Sequence, residues 1–260
     1  MFGNYAQVTA SLSALESAVA TSPSTKADIS QHIARVFVIG PPMELIWVPS
    51  IQMGAGVQLT TDGYVVVDYS VVGRMFGEWK ERADRLLSQS PTKAKWAKAC
   101  KESKCTISIG SKDYPLDIGF LGIDGSTNMA LIKAYMPGVD PAPSGIGFSA
   151  RIPRKGDSVT LLGLRGNVQE SATGKVGSTR GGSFLTDIPT AYNFSKPDYL
   201  NKGAFVKRNG ELVGVPLIFQ LTKEQVANGI SAPLVQKSLQ KIVGELRRSY
   251  ESRIATGVTT

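Results

Sequence analysis

Few side chains in this chain are of the types that carry catalytic or metal chemistry. The chain has a single histidine, His32, and two cysteines, Cys100 and Cys105, which do not form a Cys-x-x-Cys motif. The sequence therefore predicts neither a zinc centre of ordinary type nor a bound cofactor. If the ACKESKC segment is helical, the two cysteine Cα atoms lie about 7 to 8 Å apart, which is too far for a disulfide. We expect packed or free thiols at both positions.

Positive charge is concentrated in two segments. The net charge is +8, and residues 74–104 hold nine Lys or Arg against four acids, while residues 237–253 hold five against two. Such segments are typical of surfaces that bind nucleic acid, anionic lipid or an acidic protein, and also of solvated helix faces. Tryptophans that alternate with basic residues either stack on nucleobases or anchor the segment onto the protein. The candidate partner-binding residues are Trp79, Lys80, Arg82, Arg85, Lys93, Lys95, Trp96, Lys98, Arg247 and Arg248.

Hydrophobic periodicity predicts a mainly β chain with a helix at each end. Apolar residues at three- and four-residue steps predict an amphipathic helix over residues 7–20, which is too short to be stable alone and should dock on the barrel or on another subunit. From residue 34 onward, short apolar runs are bounded by Gly, Pro or Asp, and Asp62-Gly63 is a hairpin signal. Residues 74–104 interrupt the strands with two helix-like stretches. Pro233 marks the start of a final helix over residues 233–250.

Composition narrows the class of protein. The 260 residues, 42% of them hydrophobic, fit a folded globular protein rather than a disordered chain, a collagen or a coiled coil. No apolar run reaches the roughly 18 to 20 residues of a membrane helix, and the segment after Met1 lacks the basic start and apolar stretch of an export signal. Strands without alternating helices favour antiparallel sheets closed into barrels.

Three collinear stretches resemble the protease domain of HtrA/Deg-type serine proteases, a branch of the trypsin-like fold. The stretch around that family's catalytic His is similar to GAGVQLTTDGYVVVDYSVV at residues 54–72. The stretch around the Asp that orients this His is similar to LGIDGSTNMALIKA at residues 121–134. The stretch after the nucleophilic Ser is similar to GAFVKRNGELVGVPLIF at residues 203–219. With shorter supporting matches, the resemblance covers residues 33–246.

All three catalytic positions of the family are replaced in this chain. The resemblance places Ser70 at the His position, Asn128 at the Asp position and Asn201 at the nucleophile position. Serine acylation needs a base that titrates near neutral pH, and a hydroxyl is not one. Loss of the triad leaves at most about 10³- to 10⁴-fold rate enhancement over water. The turn whose backbone N–H groups form the family's oxyanion hole reads YLNKG here, so even that remnant is not expected.

The resemblance implies a trypsin-like double β-barrel of two antiparallel six-stranded barrels, with N-terminal and C-terminal helices and a helical insert. The implied organisation is a helix and linker at residues 1–27, a protease-fold domain at 28–246 (first barrel about 33–140 with the insert 74–104, second barrel about 145–232), the C-terminal helix at 233–250 and a tail at 251–260.

We expect a catalytically inactive protein that binds or scaffolds a protein or peptide partner, with homo-oligomers through the N-terminal helix. One alternative is a nucleic-acid-associated protein that uses the two basic segments. Another is a hydrolase with a relocated nucleophile from the list Ser183, Ser195 and Tyr199, with Lys202 as base. The family usually works outside the cytoplasm, whereas the absence of an export signal in this chain indicates the cytoplasm, so the compartment stays open.

Overall fold

The computed structural model describes residues 5–20, 28–40, 50–73, 104–165, 168–189, 201–207, 209–217 and 226–255. Within these ranges the chain is mainly β, with thirteen strands and three α-helices. The predicted helical insert at residues 74–104 lies outside the described residues except for Lys104, which begins a strand. None of the helices in the described ranges combines the length and the apolar character needed to cross a bilayer.

The first helix, α1 (Tyr5–Ala20), confirms the amphipathic helix predicted from the sequence. The residues of its apolar stripe, Val8, Leu12, Leu15 and Val19, are all buried in the main hydrophobic core of the same chain. Of the two predicted docking modes, the structure therefore shows docking within the chain. A homo-oligomer through this helix stays a prediction and would have to use the opposite face of α1.

The first sheet contains seven antiparallel strands, in the spatial order β5-β4-β1-β2-β3-β7-β6. Their bounds are β1 (Ile33–Gly40), β2 (Ser50–Gln58), β3 (Tyr64–Asp68), β4 (Lys104–Ile109), β5 (Lys112–Pro115), β6 (Gly122–Asp124) and β7 (Met129–Lys133). The chain leaving β5 bonds to the end of β7, because Asp117 N donates to Lys133 O and Tyr135 N donates to Pro115 O. These bonds curl the sheet into a half-barrel, where the resemblance implied a barrel of six strands.

Strands β3 and β7 are buried on both faces, which explains their continuous apolar sequences. Along β3, Tyr64 and Val66 belong to the main core beneath α1, whereas Val65 and Val67 belong to a second core inside the half-barrel. Alternate side chains of a strand point to opposite faces of the sheet, so β3 serves both cores at once. The predicted hairpin before β3 is confirmed, with Gly63 in the left-handed region at φ 96°.

The second sheet is a closed antiparallel barrel in the order β10-β13-β12-β11-β8-β9. Its strands are β8 (Ser158–Arg165), β9 (Val168–Arg180), β10 (Ser183–Pro189), β11 (Asn201–Val206), β12 (Leu212–Pro216) and β13 (Val226–Ser231). This barrel has the six strands expected. The double-barrel prediction is thus supported in its coarse form: one closed barrel packed beside one curled half-barrel.

The last described element is α3 (Ala232–Ala255), which extends five residues beyond the predicted end at residue 250. Leu239, Ile242 and Val243 of α3 lie in the main core with the stripe of α1. Residues 251–255, predicted as tail, are therefore helical.

The end of β3 also differs from the sequence prediction. The run GYVVVDYSVV predicts a single strand, but β3 stops at Asp68 and a helical turn, α2 (Tyr69–Val72), follows. Asp68 is the N-cap of this turn, because its side chain accepts a hydrogen bond from Ser70 N. A short acceptor at this position favours the helix start over continued strand pairing.

Candidate functional site

Ser70 and Asn128, two of the three positions that the resemblance aligns with a catalytic triad, lie side by side. Strands β3 and β7 pair so that Asp68 lies opposite Met129, which places Asn128, the residue before β7, next to the start of α2. Tyr69 N donates to Asn128 O at 2.8 Å and fixes this contact. Asn128 has φ 55°, a left-handed conformation that asparagine adopts more readily than other non-glycine residues. Ser70 and Asn128 are therefore positioned by two adjacent strand ends.

Asp68 joins these two positions. Its carboxylate is 1% exposed, and Oδ1 accepts hydrogen bonds from Ser70 N at 2.8 Å and Asn128 Nδ2 at 2.9 Å. The Ser70 hydroxyl also donates to Asp68 Oδ1. Three donors thus converge on a single carboxylate oxygen. At this point the hydroxyl and the amide both give hydrogen bonds, so neither is arranged to receive a proton from a nucleophile.

Lys202 is the titratable cation of the site. It lies on β11, and its side chain is 2% exposed. Burial lowers the pKa of Lys202 to about 8, while the charge of Asp68 acts in the opposite direction. Strand β11 packs against β2 of the first sheet, and this contact brings Lys202 within electrostatic reach of Asp68. Asp68 is thus the acid whose charge acts on the Lys202 ammonium. Asp68, Ser70, Asn128 and Lys202 are hereafter called the Asp68 site.

The third predicted position is placed by its backbone alone. Asn201 begins β11 and pairs with Leu164 of β8. Its side chain lies outside the described residues, and so do the neighbouring residues Ser195 and Tyr199. Ser183, the remaining oxygen considered from the sequence, lies in β10 opposite Ile230 and Arg180.

The basic residues predicted to bind a partner fall into two groups. Those of the insert, namely Trp79, Lys80, Arg82, Arg85, Lys93, Lys95, Trp96 and Lys98, lie outside the described residues. Of those on α3, Arg248 is exposed, whereas the Arg247 guanidinium donates to both carboxylate oxygens of Glu16 on α1, at 2.5 and 2.7 Å. Arg247 therefore contributes to helix docking, and its role toward a partner stays a prediction.

The other reactive side chains lie apart from this chemistry. His32 ends a 3₁₀ turn (Ile29–His32) just before β1, and burial lowers its pKa. Cys105 in β4 is a free, buried thiol whose pKa burial raises to about 12, so it is not poised as a nucleophile. Cys100 lies outside the described residues. Among the residues that the structure describes, no three His, Cys, Asp or Glu side chains are grouped as a metal site would require.

Comparison with known proteins adds no identification: no protein-family model matches the chain, and no curated protein matches it.

The sequence prediction missed Asp68, and it named Lys202 as a possible base without predicting that Lys202 is buried. A signal for Asp68 was present, because an Asp that ends an apolar run two residues before a Ser is a helix N-cap pattern. Lys202 carried no such signal. A lysine beside a strand glycine is expected at the surface, and only the packing of β11 on the first sheet buries it.

Proposed function

We propose that the chain is a catalytically inactive relative of the HtrA-type, trypsin-like proteases that binds a protein or peptide partner. The observation that supports this most directly is the Asp68 site. Ser70 and Asn128, which the resemblance places at the His and Asp positions, lie together and both donate to the Asp68 carboxylate. A neighbouring pair of this kind is what a degenerate triad would leave behind.

The chemistry of the site supports inactivity. Acyl transfer by a serine requires a base that accepts the hydroxyl proton and later returns it to the leaving group. The Ser70 hydroxyl instead donates to a carboxylate that two other donors also hold. The chain's single imidazole, His32, belongs to the turn before β1, away from the end of β3 where Asp68 lies. What such a site can do is hold the local loop geometry without turnover.

The proposed binding mode is capture of an extended segment along the junction between the half-barrel and the closed barrel, beside the Asp68 site; this junction is hereafter called the cleft. Extended segments are held by backbone hydrogen bonds to strands, with side-chain pockets providing specificity. Such recognition needs the framework of a protease and none of its proton transfers.

The test is labelling with a serine-directed fluorophosphonate, together with cleavage of unfolded casein by the full chain. We expect neither labelling nor cleavage above the background without the protein. Labelling that one substitution removes would overturn the inactive assignment.

A second candidate is a hydrolase that uses Lys202, and one observation favours it. A lysine whose pKa is about 8 is neutral in roughly one molecule in ten at pH 7, so it can serve as a base where an ordinary lysine cannot. In the same assay this candidate predicts labelling that Lys202→Met abolishes and that rises with pH through about 8. Labelling that does not change with pH, or that survives Lys202→Met, contradicts it.

A further inference from the structure

A cavity of about 620 Å³ lies under the first half of α1, at the far end of β3 and β7 from the Asp68 site. Tyr64 and Lys133 pair at this end of the two strands, and Asp68 and Met129 pair at the other end. Four residue steps along each strand separate the two pairs, a distance of about 13 Å at the usual rise per residue. The cavity is therefore separate from the cleft on which the proposed function rests.

The floor of the cavity is a buried ion pair. Lys133 Nζ donates to Asp62 O at 3.0 Å, to Ser11 Oγ at 3.1 Å and to Asp62 Oδ2. Ser11, which comes from α1, also donates to Asp62 Oδ2. An ammonium has three N–H donors, and all three are engaged here. Lys133 therefore has no donor left for an anionic ligand.

By contrast with the fully engaged Lys133 ammonium, one carboxylate oxygen of the ion pair has no hydrogen-bond donor. Asp62 lines the cavity at 5% exposure, and its Oδ1 is buried without a hydrogen-bond partner in the structure. Asp117 lines the same cavity and uses one carboxylate oxygen to accept from Gly119 N at 3.1 Å. Two carboxylates against one ammonium leave the lining with one excess negative charge. Asp62 Oδ1 lies below the cavity surface, so its negative charge acts on a ligand through the electrostatic field, and Asp117 supplies the half-buried carboxylate of the lining.

The walls are mostly apolar. They are formed by Val8, Leu116, Phe120, Met136, Val139 and Pro141, with further prolines at the rim. The volume lies within the usual range for small-molecule pockets, which combine apolar walls with a few convergent polar groups. Phe120 and Tyr64 also present aromatic rings toward the position of the Lys133 ammonium, a setting that tolerates positive charge.

We propose that this cavity binds an organic cation with an apolar body, a primary ammonium or guanidinium on an aliphatic chain. The Asp117 carboxylate receives the cationic head, the excess negative charge of the lining attracts it, and the apolar walls contact the chain. Two sources share this chemistry: a free alkylamine, and the Lys or Arg side chain of a protein segment.

The experiment measures binding to the full chain by calorimetry, with n-hexylammonium, n-hexanol and n-hexanoate as small probes. Two peptides separate the sources: acetyl-Leu-Lys-Leu amide and its norleucine analogue. We expect 1:1 binding of n-hexylammonium, at least tenfold weaker binding of the other two small probes, and loss of peptide binding when Lys becomes norleucine. Tighter binding of the peptide than of n-hexylammonium indicates a protein segment, and the reverse indicates a free amine.

Variants locate the binding. Asp117→Asn should weaken binding of n-hexylammonium about tenfold, the scale of one charge-assisted hydrogen bond. Val139→Trp should fill the cavity and abolish binding with all charges kept. Asp140→Asn removes the same charge from an exposed neighbour outside the lining and should change nothing. Ser70→Ala changes the separate Asp68 site and should also leave binding of n-hexylammonium unchanged. Failure of the proposed function would therefore not imply failure of the cavity proposal, and the two can be distinguished. No binding at millimolar probe, equal binding of n-hexanol, or equal loss in Asp140→Asn and Asp117→Asn would overturn the proposal.

Discussion

At the scale of single residues, Asp68 has the largest structural role in the cleft. Asp68→Ala removes the acceptor of three hydrogen bonds and the carboxylate whose charge stabilises the protonated, buried Lys202. We expect the free energy of unfolding to fall by about 3 kcal/mol or more. The substitution leaves the buried Lys202 charge without the compensating carboxylate, and it leaves the donors of Ser70 and Asn128 without their acceptor. Ser70→Ala, which removes one donor and leaves the carboxylate, should cost about 1 kcal/mol. Urea denaturation measures both, and equal losses would show that Asp68 does not organise the site.

Lys202 should make stability depend on pH in a defined direction. Its folded-state pKa of about 8 lies below the value of about 10.4 for an unfolded chain, so the unfolded state binds more protons between these values. Stability must then rise with pH in this window, since the cost of burying the charge is present in full below pH 8 and is relieved above it.

The comparison of wild type with Lys202→Met isolates this effect. The difference in unfolding free energy, wild type minus variant, should increase from pH 7.5 to pH 10, and subtraction cancels the contributions of Tyr64 and Cys105, whose pKa values burial raises. A flat or decreasing difference would contradict the assigned burial of Lys202.

At the scale of elements, α1 is held by its apolar stripe more than by its ion pair. Leu15 is fully buried, whereas the side chains of Glu16 and Arg247 are 43% and 30% exposed. Leu15→Ala should therefore cost about 2 to 5 kcal/mol, and Glu16→Gln at the adjacent position less than about 1 kcal/mol. Chemical denaturation of the two variants makes the comparison. If Leu15→Ala is as mild as Glu16→Gln, α1 does not dock on its own chain in solution.

The elements also show how far the sequence could be interpreted. The helices α1 and α3, the hairpin at Asp62-Gly63 and the strand runs followed from periodicity and turn residues, because these signals are local. The predicted end of β3 was wrong, because the side chain of Asp68 caps a helical turn although the apolar run continues beyond it. The curl of the first sheet and the burial of Lys202 depend on contacts between segments far apart in the sequence, and no local pattern encodes those contacts.

At the scale of the whole molecule, a shared core joins the two sheets. Residues from α1, the outer face of β3, β11 and α3 all belong to the main core, so the half-barrel and the closed barrel are not independently packed bodies. The close approach occurs where β11 crosses the first sheet, the same strand that brings Lys202 to Asp68. The position of Lys202 relative to Asp68 is therefore set by the contact between the barrels.

Gly203 allows β11 to lie close to Ile33 of β1. A Cβ atom at this position would lie 2.9 Å from Ile33 Cγ2 and 3.1 Å from Ile33 Cδ1, closer than side chains normally pack. Gly203→Ala should therefore push β11 away from β1 and cost about 1 to 3 kcal/mol, the range for overpacking a close contact.

Gly177→Ala is the matched control, because a Cβ there meets nothing closer than Leu185 O at 4.0 Å, and its stability should change by less than about 0.5 kcal/mol. Thermal and urea denaturation of both variants, with the pH profile of Lys202 repeated in Gly203→Ala, gives two readouts. If β11 moves outward, solvent reaches Lys202 and its pKa rises toward an ordinary value, so the increase of stability above pH 8 shrinks. A Gly203→Ala variant as stable as Gly177→Ala would contradict the close packing of the two barrels at β11.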